Sequence, residues 1–402
     1  PAWFFFDFSR LWDFKMPRSK KNQAGGVELA PGPLAGVRVL DFTMYVAGPY
    51  CSRLLADMGA EVIKVEPLGG EIMRNAPPFQ GSQSAYFGHL NCGKKSIELD
   101  LKNPAAIGAI NRLLPSVDVV LENYRPGVMA RLSLDYGSLT EAKPDLIYCS
   151  ISGYGQIGTD SKNPAFATII NASSGFDMMM MDYETSLDRP LRHRSNAPDF
   201  MGGVHACAAI CAALFGRDRN GRGQCIDVAM IDAIHNMMAH EYQAAQIENP
   251  EKAPIFAPIR ASDGFLMVAP VSQANFAALA RAIGREELIE DPRFAESRPR
   301  IDNWDELLIV IEGEVSKLTA EEAERRINDS GCPCTRYLTL VESIDRPHVE
   351  ERGAAIRIVD GAETYRVANT PMLFTAADVG ARPWVPTSGE HNEEILGARA
   401  ER

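Results

Sequence analysis

The sequence has no run of about 18 apolar residues, the shortest stretch that spans a membrane as a helix. It also has too few basic residues to balance its acidic ones, since 41 Lys and Arg against 53 Asp and Glu give a formal net charge of −12. This balance argues against nonspecific binding to nucleic acid or to an anionic membrane, whereas a local basic pocket for a phosphorylated ligand stays compatible with it. We therefore predict that neither nucleic acid nor a membrane is a partner.

Motifs for metals and for the common nucleotide cofactors are missing as well. The eight cysteines lie scattered in apolar, small-residue segments, which is typical of reduced core cysteines. Only Cys332 and Cys334 are close together, and no second pair of ligands at zinc spacing accompanies them. The first βα turn contains neither G-x-G-x-x-G nor G-x-x-x-x-G-K-[ST]. We expect a cytoplasmic protein without a metal, nicotinamide or flavin cofactor.

Short apolar strands alternate with helical segments from residue 34 onward. The strands GVRVLDF, AEVIKVEP, KSIELDL, VDVVLENY and PDLIYCSISGYG are separated by helical stretches such as NPAAIGAINRLLPS. Strands that are apolar on both faces are typical of a parallel sheet covered by helices on each side, with ligand sites at the carboxyl ends of the strands. From about residue 255 the pattern changes to a hairpin and amphipathic helices. The predicted fold is α/β, a Rossmann-like, doubly wound parallel sheet domain with a smaller α+β domain.

One carboxylate, Asp199, stands at the start of a small-residue helix in PLRHRSNAPDFMGGVHACAA. One interpretation is that Asp199 caps that helix, because an Asp at an N-cap accepts hydrogen bonds from the free N–H groups of the first turn. The other is that Gly202, Gly203 and Ala206 leave room for a bulky ligand to approach the carboxylate. The two interpretations are compatible with each other.

Several segments together resemble a known family. In chain order they are PLAGVRVLDFTMYVAGPYCSRLLADMGAEVIKVEPLGGEIMR, NCGKKSIELDLK, VLENYRPGVMARL, YCSISGYGQIG, GRGQCIDVAMIDA and GEHNEEIL. From about residue 33 to its C-terminus, the chain is similar to the class III coenzyme A transferases. This is the CaiB/BaiF-like family of formyl-CoA and carnitine CoA-transferases, which includes α-methylacyl-CoA racemase.

The resemblance implies an acyl-CoA:carboxylate CoA-transferase, whose substrates are an acyl-CoA donor, such as succinyl-CoA, and a carboxylic acid acceptor. In the family the catalytic carboxylate lies in an Asp-x-x-x-Gly segment before a small-residue helix, which Asp199 and Gly203 match. The carboxylate takes the acyl group as a mixed anhydride, and coenzyme A then forms an aspartyl-CoA thioester. The resemblance also implies a dimer of interlocked chains, either a homodimer or a heterodimer with a paralogue.

The domain organisation that we predict has four parts. The first 15 residues are packed with aromatic side chains and precede Met16, so we interpret them as upstream or appended sequence. The predicted parts are an N-terminal tail over 1–32, a large coenzyme A-binding domain over 33–225 completed by 345–402, a linker helix over 226–254, and a small α+β domain over 255–344.

The resemblance also implies which residues contact coenzyme A. Residues that match the thiol end follow the first strand, those that match the adenine follow the third, and those that match the pantetheine and phosphates follow the fourth. The predicted coenzyme A-binding residues are Tyr45, Val46, Ala47, Arg74, Leu99, Lys102, Asn123, Tyr124, Arg131 and Met230.

Two positions depart from the family pattern, because Ala167 stands where many relatives carry an acidic residue and Met44 where a His or Gln is usual. The racemase branch is an alternative, since it shares the fold and the carboxylate. Racemisation needs an acid/base pair, which relatives supply as a His and a Glu, whereas this chain has Phe166 and Arg260 there. A third alternative is a non-catalytic, coenzyme A-binding subunit of a heteromeric transferase, against which the retained Asp199 argues. We therefore predict a transferase.

Overall fold

A computed structural model describes residues 30–184, 186–250 and 256–397. The aromatic segment over 1–15, and the predicted tail up to residue 29, lie outside the described residues. The chain divides into two compact units, Pro1–Tyr242 with Pro347–Arg402 and Gln243–Arg346.

The secondary structure alternates helices and strands in the first half of the chain. The strands are β1 (Arg38–Asp41), β2 (Glu61–Glu66), β3 (Phe79–Gln80), β4 (Gln83–Ser84), β5 (Lys95–Glu98), β6 (Val119–Glu122), β7 (Ile147–Ser152), β8 (Gln224–Ala229), β9 (Ile259–Arg260), β10 (Phe265–Val268), β11 (Cys334–Arg336), β12 (Ala355–Asp360) and β13 (Glu363–Ala368). The helices are α1 (Ala47–Asp57), α2 (Ala85–Asn91), α3 (Pro104–Leu113), α4 (Val128–Arg131), α5 (Tyr136–Thr140), α6 (Ala167–Ser173), α7 (Phe176–Asp182), α8 (Ala197–Asn220), α9 (Met230–Met237), α10 (Ala239–Ala244), α11 (Gln273–Ala282), α12 (Ser297–Asp302), α13 (Trp304–Val315), α14 (Ala320–Asp329), α15 (Leu340–Ile344), α16 (Pro347–Glu351) and α17 (Asn392–Leu396).

A six-stranded sheet in the order β5-β2-β1-β6-β7-β8 forms the centre of the larger unit. All of its pairings are parallel, which confirms the predicted parallel sheet. From β1 the chain first adds strands on one side, through β2 and β5, and then on the other, through β6 to β8. The winding therefore reverses between β1 and β6, and in such sheets ligands bind in the crevice at the carboxyl ends of the strands beside this point.

Helices cover both faces of the sheet, because the strands are apolar on both faces. Val39 of β1 packs in a core that includes α1 and α8, whereas the neighbouring Leu40 packs with α3 and the α4–α5 region on the opposite face. Local sequence sets the helix ends: the Asn103 side chain accepts a 2.9 Å hydrogen bond from the N–H of Ala105 ahead of α3. Gly59 follows α1 at φ +102°, a conformation that favours glycine.

The C-terminal segment completes the larger unit at the edge of the sheet. The β12–β13 hairpin packs with α2, and the residues before α17 run along the edge strand β5. The N–H of His391 donates to the carbonyl of Ser96 at 2.9 Å, and the N–H of Glu98 donates to the Asn392 side chain at 2.8 Å. These bonds occupy backbone groups of β5 that an open sheet edge would leave unpaired.

The smaller unit has an antiparallel sheet in the order β11-β10-β9. The predicted hairpin in APIRASDGFLMVAP corresponds to β9 and β10, which pair with Phe265 opposite Arg260. Helices α11, α13 and α14 pack their apolar faces in one core with this sheet. An α+β arrangement is therefore present, as the sequence predicts.

The segment over 226–254 is not the single linker helix that the sequence predicts. Strand β8 continues to Ala229, because its residues pair in register with β7 up to Ser152 opposite Ala229. Two helices, α9 and α10, follow it. Among the described helices, α8 is long and apolar enough to cross a membrane by length and composition alone. It packs against α1, β7 and β8, so it forms part of the core of the larger unit.

Candidate active site

Asp199 lies in the first turn of α8 and is not its N-cap. The N-cap position belongs to Asn196, and Pro198 stands beside Asp199 within the first turn. The capping interpretation of Asp199 is therefore wrong in position, because the helix starts earlier than the sequence pattern suggests. The carboxylate is close to the positive end of its own helix dipole, which favours its ionised form.

Gly203 allows α8 to approach α1 closely, and Gly202 allows it to approach Met230 of α9. A Cβ atom at Gly203 would lie 2.6 Å from the carbonyl oxygen of Ala47 and 3.2 Å from the ring of Tyr50. A Cβ atom at Gly202 would lie 3.2 Å from the side chain of Met230. The backbone of Ala47, at the start of α1, is close enough to the Asp199 carboxylate to lower its pKa. Gly203 thus brings the helix that carries Asp199 against the N-terminus of α1.

Burial governs the acidity of Asp199. Removal from water raises the pKa of Asp199 to about 6, although the backbone of Ala47 acts in the opposite direction. Tyr86 is close enough for the Asp199 charge to contribute to a raised pKa of its phenol, after the larger effect of burial. The Tyr86 hydroxyl accepts a 2.8 Å hydrogen bond from the Asn196 side chain, which fixes the residue at the N-cap of α8.

Side chains from α6 and α7 hold the segment that precedes α8. The Asn171 amide donates to the carbonyl of Ser195 at 3.0 Å, and the N–H of Ser195 donates to Nδ1 of His193 at 3.1 Å. Because Nδ1 accepts this bond, the proton is on Nε2 of His193, which lies 2.8 Å from the Asp177 carboxylate. His193 is therefore paired within the protein.

The turn after β1 is held by side chains from three other places in the chain. Tyr45 has φ +65°, a left-handed conformation that is unfavourable for a bulky residue. The N–H of Met44 donates to Oδ1 of Asn123 at 2.9 Å, and Nδ2 of Asn123 donates to the carbonyl of Met44 at 2.8 Å. The N–H of Tyr45 donates to the Glu71 carboxylate at 2.7 Å, and Nζ of Lys64 donates to the carbonyl of Thr43 at 2.8 Å.

A buried group of charges supports this turn, and the sequence analysis missed it. Lys64 and Glu71 form an ion pair of 2.5 Å, with side chains 0% and 1% exposed. Lys94, also fully buried, contacts Asp41 at 3.2 Å, and burial lowers the pKa of Lys94 to about 8 against the attraction of that carboxylate. The available signal was the presence of Asp41 and Lys64 inside strands that are otherwise apolar, as in VLDF and VIKVE.

Glu122, at the end of β6, is a further buried acid that the sequence analysis did not identify. It is 4% exposed, and burial raises its pKa to about 7 although the Ser150 hydroxyl donates to it. The N–H of Tyr124 donates to its other oxygen at 2.8 Å. Glu122 therefore helps to fix the turn that carries Asn123 and Tyr124 at the switch point.

The structure brings the predicted residues after β1 and β6 together at the switch point. Met44, which precedes Tyr45, is hydrogen-bonded to Asn123, Ala47 packs against Gly203 of α8, and the buried Met230 packs against Gly202. Leu99 is buried, at 2% exposed, while Lys102 and Arg131 are exposed. Contact of these residues with coenzyme A stays a prediction.

Arg74 already has partners within the protein. Its guanidinium donates to both carboxylate oxygens of Glu66, at 2.7 and 2.6 Å, and to the carbonyl of Pro386 at 3.0 Å. It also stacks over the ring of Phe87, 4.0 Å from the centroid. These contacts within the protein are enough to explain why an Arg follows β2. The predicted contact of Arg74 with coenzyme A is not needed to explain its presence.

The positions that depart from the family pattern lie close to the turn. Phe166 is the N-cap residue of α6, and its ring packs edge to face with Tyr45 at 5.4 Å. Ala167 is buried directly after it, and the Met178–Met181 run lies in α7, where no residue is buried. Met178 is exposed, whereas Met179 packs partly buried against the core that contains α1 and α8. Among the residues that the structure describes, there is no group of three or more His, Cys, Asp and Glu side chains that could hold a metal ion.

Comparison with known proteins identifies the family to which this chain belongs. The chain is 34% identical over 386 residues to the "Probable fatty acyl-CoA transferase Rv3272" of Mycobacterium tuberculosis, with 90% of this chain and 97% of that protein covered. The crystal structure of Rv3272 matches the fold with a TM-score of 0.82 and 33% identity, over 91% of this chain and 99% of that one.

Two other relatives are named for their substrates. The chain is 36% identical over 338 residues to an acetyl-CoA:oxalate CoA-transferase of Acetobacter aceti, with 81% of this chain and 86% of the relative covered. It is 30% identical over 383 residues to a succinate–glutarate CoA-transferase of Agrobacterium fabrum, with 90% and 95% covered. A family model described as CoA-transferase family III matches residues 34–392. The chain therefore belongs to CoA-transferase family III, the class of enzyme that its sequence predicts.

Proposed function

We propose that the chain transfers coenzyme A from an acyl-CoA donor to a carboxylic acid acceptor, with Asp199 as the nucleophile. The observation that carries the proposal is the position of Asp199, a partly buried carboxylate in the first turn of α8, beside the N-terminus of α1. With a pKa of about 6, the group is mostly ionised near neutral pH while it is poorly solvated. A carboxylate with few water contacts is more reactive toward a thioester than one in bulk water.

Two attacks load coenzyme A onto the enzyme. A carboxylate oxygen of Asp199 attacks the thioester carbonyl of the donor, the C–S bond breaks, and coenzyme A leaves as a thiolate, which gives a mixed anhydride. The thiolate then attacks the aspartyl carbonyl of the anhydride. The C–O bond to the donor's acid breaks, that acid leaves as a carboxylate, and an aspartyl-CoA thioester remains.

Two further attacks deliver coenzyme A to the acceptor. The acceptor carboxylate attacks the aspartyl-CoA thioester, which forms a second anhydride and releases the thiolate. The thiolate attacks the acceptor carbonyl of this anhydride and gives the acceptor's acyl-CoA. Asp199 returns as a carboxylate, and no net proton is taken up or released over the cycle.

The N-terminus of α1 supports the second and third attacks, which take place at the aspartyl carbonyl. Negative charge develops on a carbonyl oxygen whenever an anhydride or thioester is attacked at Asp199. The backbone of Ala47 and the positive end of the α1 dipole lie on this side of the carboxylate. A well-placed backbone donor lowers such a barrier by roughly 2.7–4 kcal/mol.

We infer an acceptor with a hydrophobic body and a second carboxylate, such as an alkyl- or aryl-substituted succinate, and succinyl-CoA as the donor. The rings of Tyr45 and Phe166 are 37% and 55% exposed and provide an apolar surface beside the turn that leads to Ala47. Arg192 and Arg194, in the segment before α8, are exposed cations that suit a second carboxylate. The relatives named for oxalate and for succinate and glutarate support dicarboxylic acids as substrates.

The site favours transfer over racemisation. An acid/base group is needed on each side of the substrate α-carbon for racemisation. The position of one such group holds Phe166, whose ring is paired with Tyr45 and cannot exchange a proton. A role as a non-catalytic subunit is disfavoured by the position of Asp199 beside Ala47.

We also propose the interlocked dimer that the resemblance implies, and a monomer mass in light scattering at micromolar concentration would contradict it.

A substrate panel with an Asp199 variant tests the proposal. Succinyl-CoA and acetyl-CoA are each combined with substituted succinates, glutarate and oxalate, and product masses are recorded for the wild type, Asp199→Asn and Asp145→Asn. The wild type and Asp145→Asn should form the acceptor's acyl-CoA, whereas Asp199→Asn should be slower by roughly 1,000-fold or more, because the nucleophile is lost. Activity of Asp199→Asn near the wild-type level would refute the mechanism. Turnover of oxalate with none of the bulkier diacids would refute the acceptor class alone.

A further inference from the structure

The turn between β1 and α1 has an unusual set of contacts, because side chains take the place of strand hydrogen bonds. The regular ladder between β1 and β6 ends with the N–H of Phe42 donating to the carbonyl of Leu121 at 2.8 Å. Two residues beyond each of these positions, the Asn123 side chain accepts from the N–H of Met44 and donates to its carbonyl. One amide therefore continues the pairing of the two strands across the switch point, where the backbones have already separated.

From these contacts we infer that Asn123 is a positioning residue, which holds the Met44–Ala47 turn so that Ala47, at the N-terminus of α1, stays beside α8 and Asp199. This inference rests on the proposed function, since it takes Asp199 as the nucleophile. It changes the role that the family resemblance implies for Asn123, which is contact with coenzyme A. The side-chain oxygen and nitrogen each have a partner in the turn, so the clamp exists without any ligand.

The turn needs such a clamp because its backbone is strained. Tyr45 has φ +65°, and a bulky residue leaves this region unless its surroundings oppose the change. Asn123 fixes the residue before Tyr45, and the Glu71 carboxylate, paired with the buried Lys64, fixes the N–H of Tyr45 itself. Rotation at Tyr45 would swing Val46 and Ala47, and with them the N-terminus of α1 beside Asp199. A shift of about 1 Å at such a position weakens catalysis markedly.

The smaller unit contains a matched control for Asn123. Asn328 has the same pair of bonds to one residue, since its side chain accepts from the N–H of Cys334 at 3.0 Å and donates to the carbonyl of Cys334 at 2.8 Å. Asn328→Ala therefore removes the same chemistry from a turn that has no part in the clamp. A general effect of removing a pair of side-chain hydrogen bonds from a turn should therefore appear in both Asn123→Ala and Asn328→Ala.

The experiment compares Asn123→Ala with Asn328→Ala in two measurements on the full-length protein. Hydrogen exchange, followed by mass spectrometry, should become roughly tenfold faster or more in peptides that contain Met44–Ala47 for Asn123→Ala, and stay at the wild-type rate there for Asn328→Ala. Steady-state kinetics should show kcat lowered by about 10- to 100-fold for Asn123→Ala with the KM for acyl-CoA within about threefold, because the clamp acts on the transition state.

The outcomes separate this inference from the proposed function. Unchanged exchange in the turn would overturn the inference, and a raised KM with kcat retained would overturn it and indicate that Asn123 contacts coenzyme A instead. If the wild type transfers coenzyme A to no acid, the proposed function is wrong, and the exchange rates still decide whether Asn123 holds the turn. Should Asn123→Ala fail to fold, Asn123→Asp keeps the acceptor for the N–H of Met44 and loses the donor. Hydrogen exchange in Met44–Ala47 of Asn123→Asp should then be faster than in the wild type. An exchange rate equal to the wild-type rate would overturn the inference.

Discussion

Asp199 is a residue at which reactivity and stability oppose each other. The ordinary pKa of an Asp side chain in water is 3.8, and burial raises the pKa of Asp199 to about 6 in the folded chain. The folded state therefore binds a proton more tightly than the unfolded state, so stability falls as the pH rises from about 4 to about 6. Above this range the folded protein carries the full penalty of a buried negative charge.

Asp199→Asn should for this reason stabilise the protein while it abolishes transfer. At about pH 8 the gain in the free energy of unfolding should be on the order of 2 kcal/mol, and it should shrink toward zero near pH 4. Urea denaturation of both proteins across this range measures the difference. Asp145 provides the opposite case, because the hydrogen bond and charge of Lys143 outweigh burial and lower its pKa. If the two substitutions respond to pH in the same sense, burial is not what governs Asp199.

The residues at the site differ in how far their roles can be predicted from sequence. The roles of Asp199 and Gly203 are implied by the family resemblance, and in the structure Asn123 is bonded to Met44 while Ala47 lies beside Asp199. The buried Lys64–Glu71 pair could not be predicted, because Glu61 and Glu66 of β2 are closer to Lys64 in sequence than Glu71 in the loop that follows. Only the folded chain shows which of these nearby carboxylates a buried lysine meets.

At the scale of elements, the close contact of α1 with α8 determines where the carboxylate lies. Gly203→Ala would place a Cβ atom 2.6 Å from the carbonyl oxygen of Ala47, which is backbone and cannot move without the helix. We expect a loss of about 1–3 kcal/mol in the free energy of unfolding and a lower kcat, because the helices must separate. Thermal denaturation and steady-state kinetics measure the two effects.

Gly216 gives a control in the same helix. A Cβ atom there would meet nothing within 4 Å, so Gly216→Ala should gain up to about 1 kcal/mol from helix propensity and leave kcat unchanged. The contrast between the two positions is the informative result. Equal behaviour of Gly203→Ala and Gly216→Ala would mean that α8 does not depend on close approach to α1.

Elements with a strong apolar pattern are predicted correctly, and those fixed by pairing are not. The parallel strands and the start of α3 follow from continuous apolar runs and from Asn103 with Pro104. The predicted linker helix over 226–254 fails because β8 reaches Ala229 through its register with β7, a long-range pairing that helix propensity does not contain. The N-cap of α8 at Asn196 was missed for a related reason, since Tyr86 from a distant helix holds it.

At the scale of the whole molecule, the larger unit is closed by a segment that is distant in sequence. Residues near the C-terminus run beside β5, the edge strand of the six-stranded sheet, and occupy its hydrogen-bonding groups. The bonds include Gly389 to the Ser96 hydroxyl at 3.0 Å and Ser96 to the His391 ring at 3.2 Å, in addition to those from His391 and to Asn392. Ile395 and Leu396 pack against the core on the α3 face.

Truncation after Pro386 should therefore open one edge of the sheet. It removes four hydrogen bonds to β5, each contributing about 1 kcal/mol, and uncovers apolar core, so we expect a loss on the order of 4 kcal/mol or more. An exposed edge strand pairs with other chains, so the truncated protein should also self-associate.

A second truncation that removes only residues 398–402 keeps every one of these contacts and serves as the control. Denaturation midpoints and light scattering measure both effects. Equal stability and equal mass for the two truncated proteins would show that the C-terminal segment is dispensable, because the β5 edge would then need no cover.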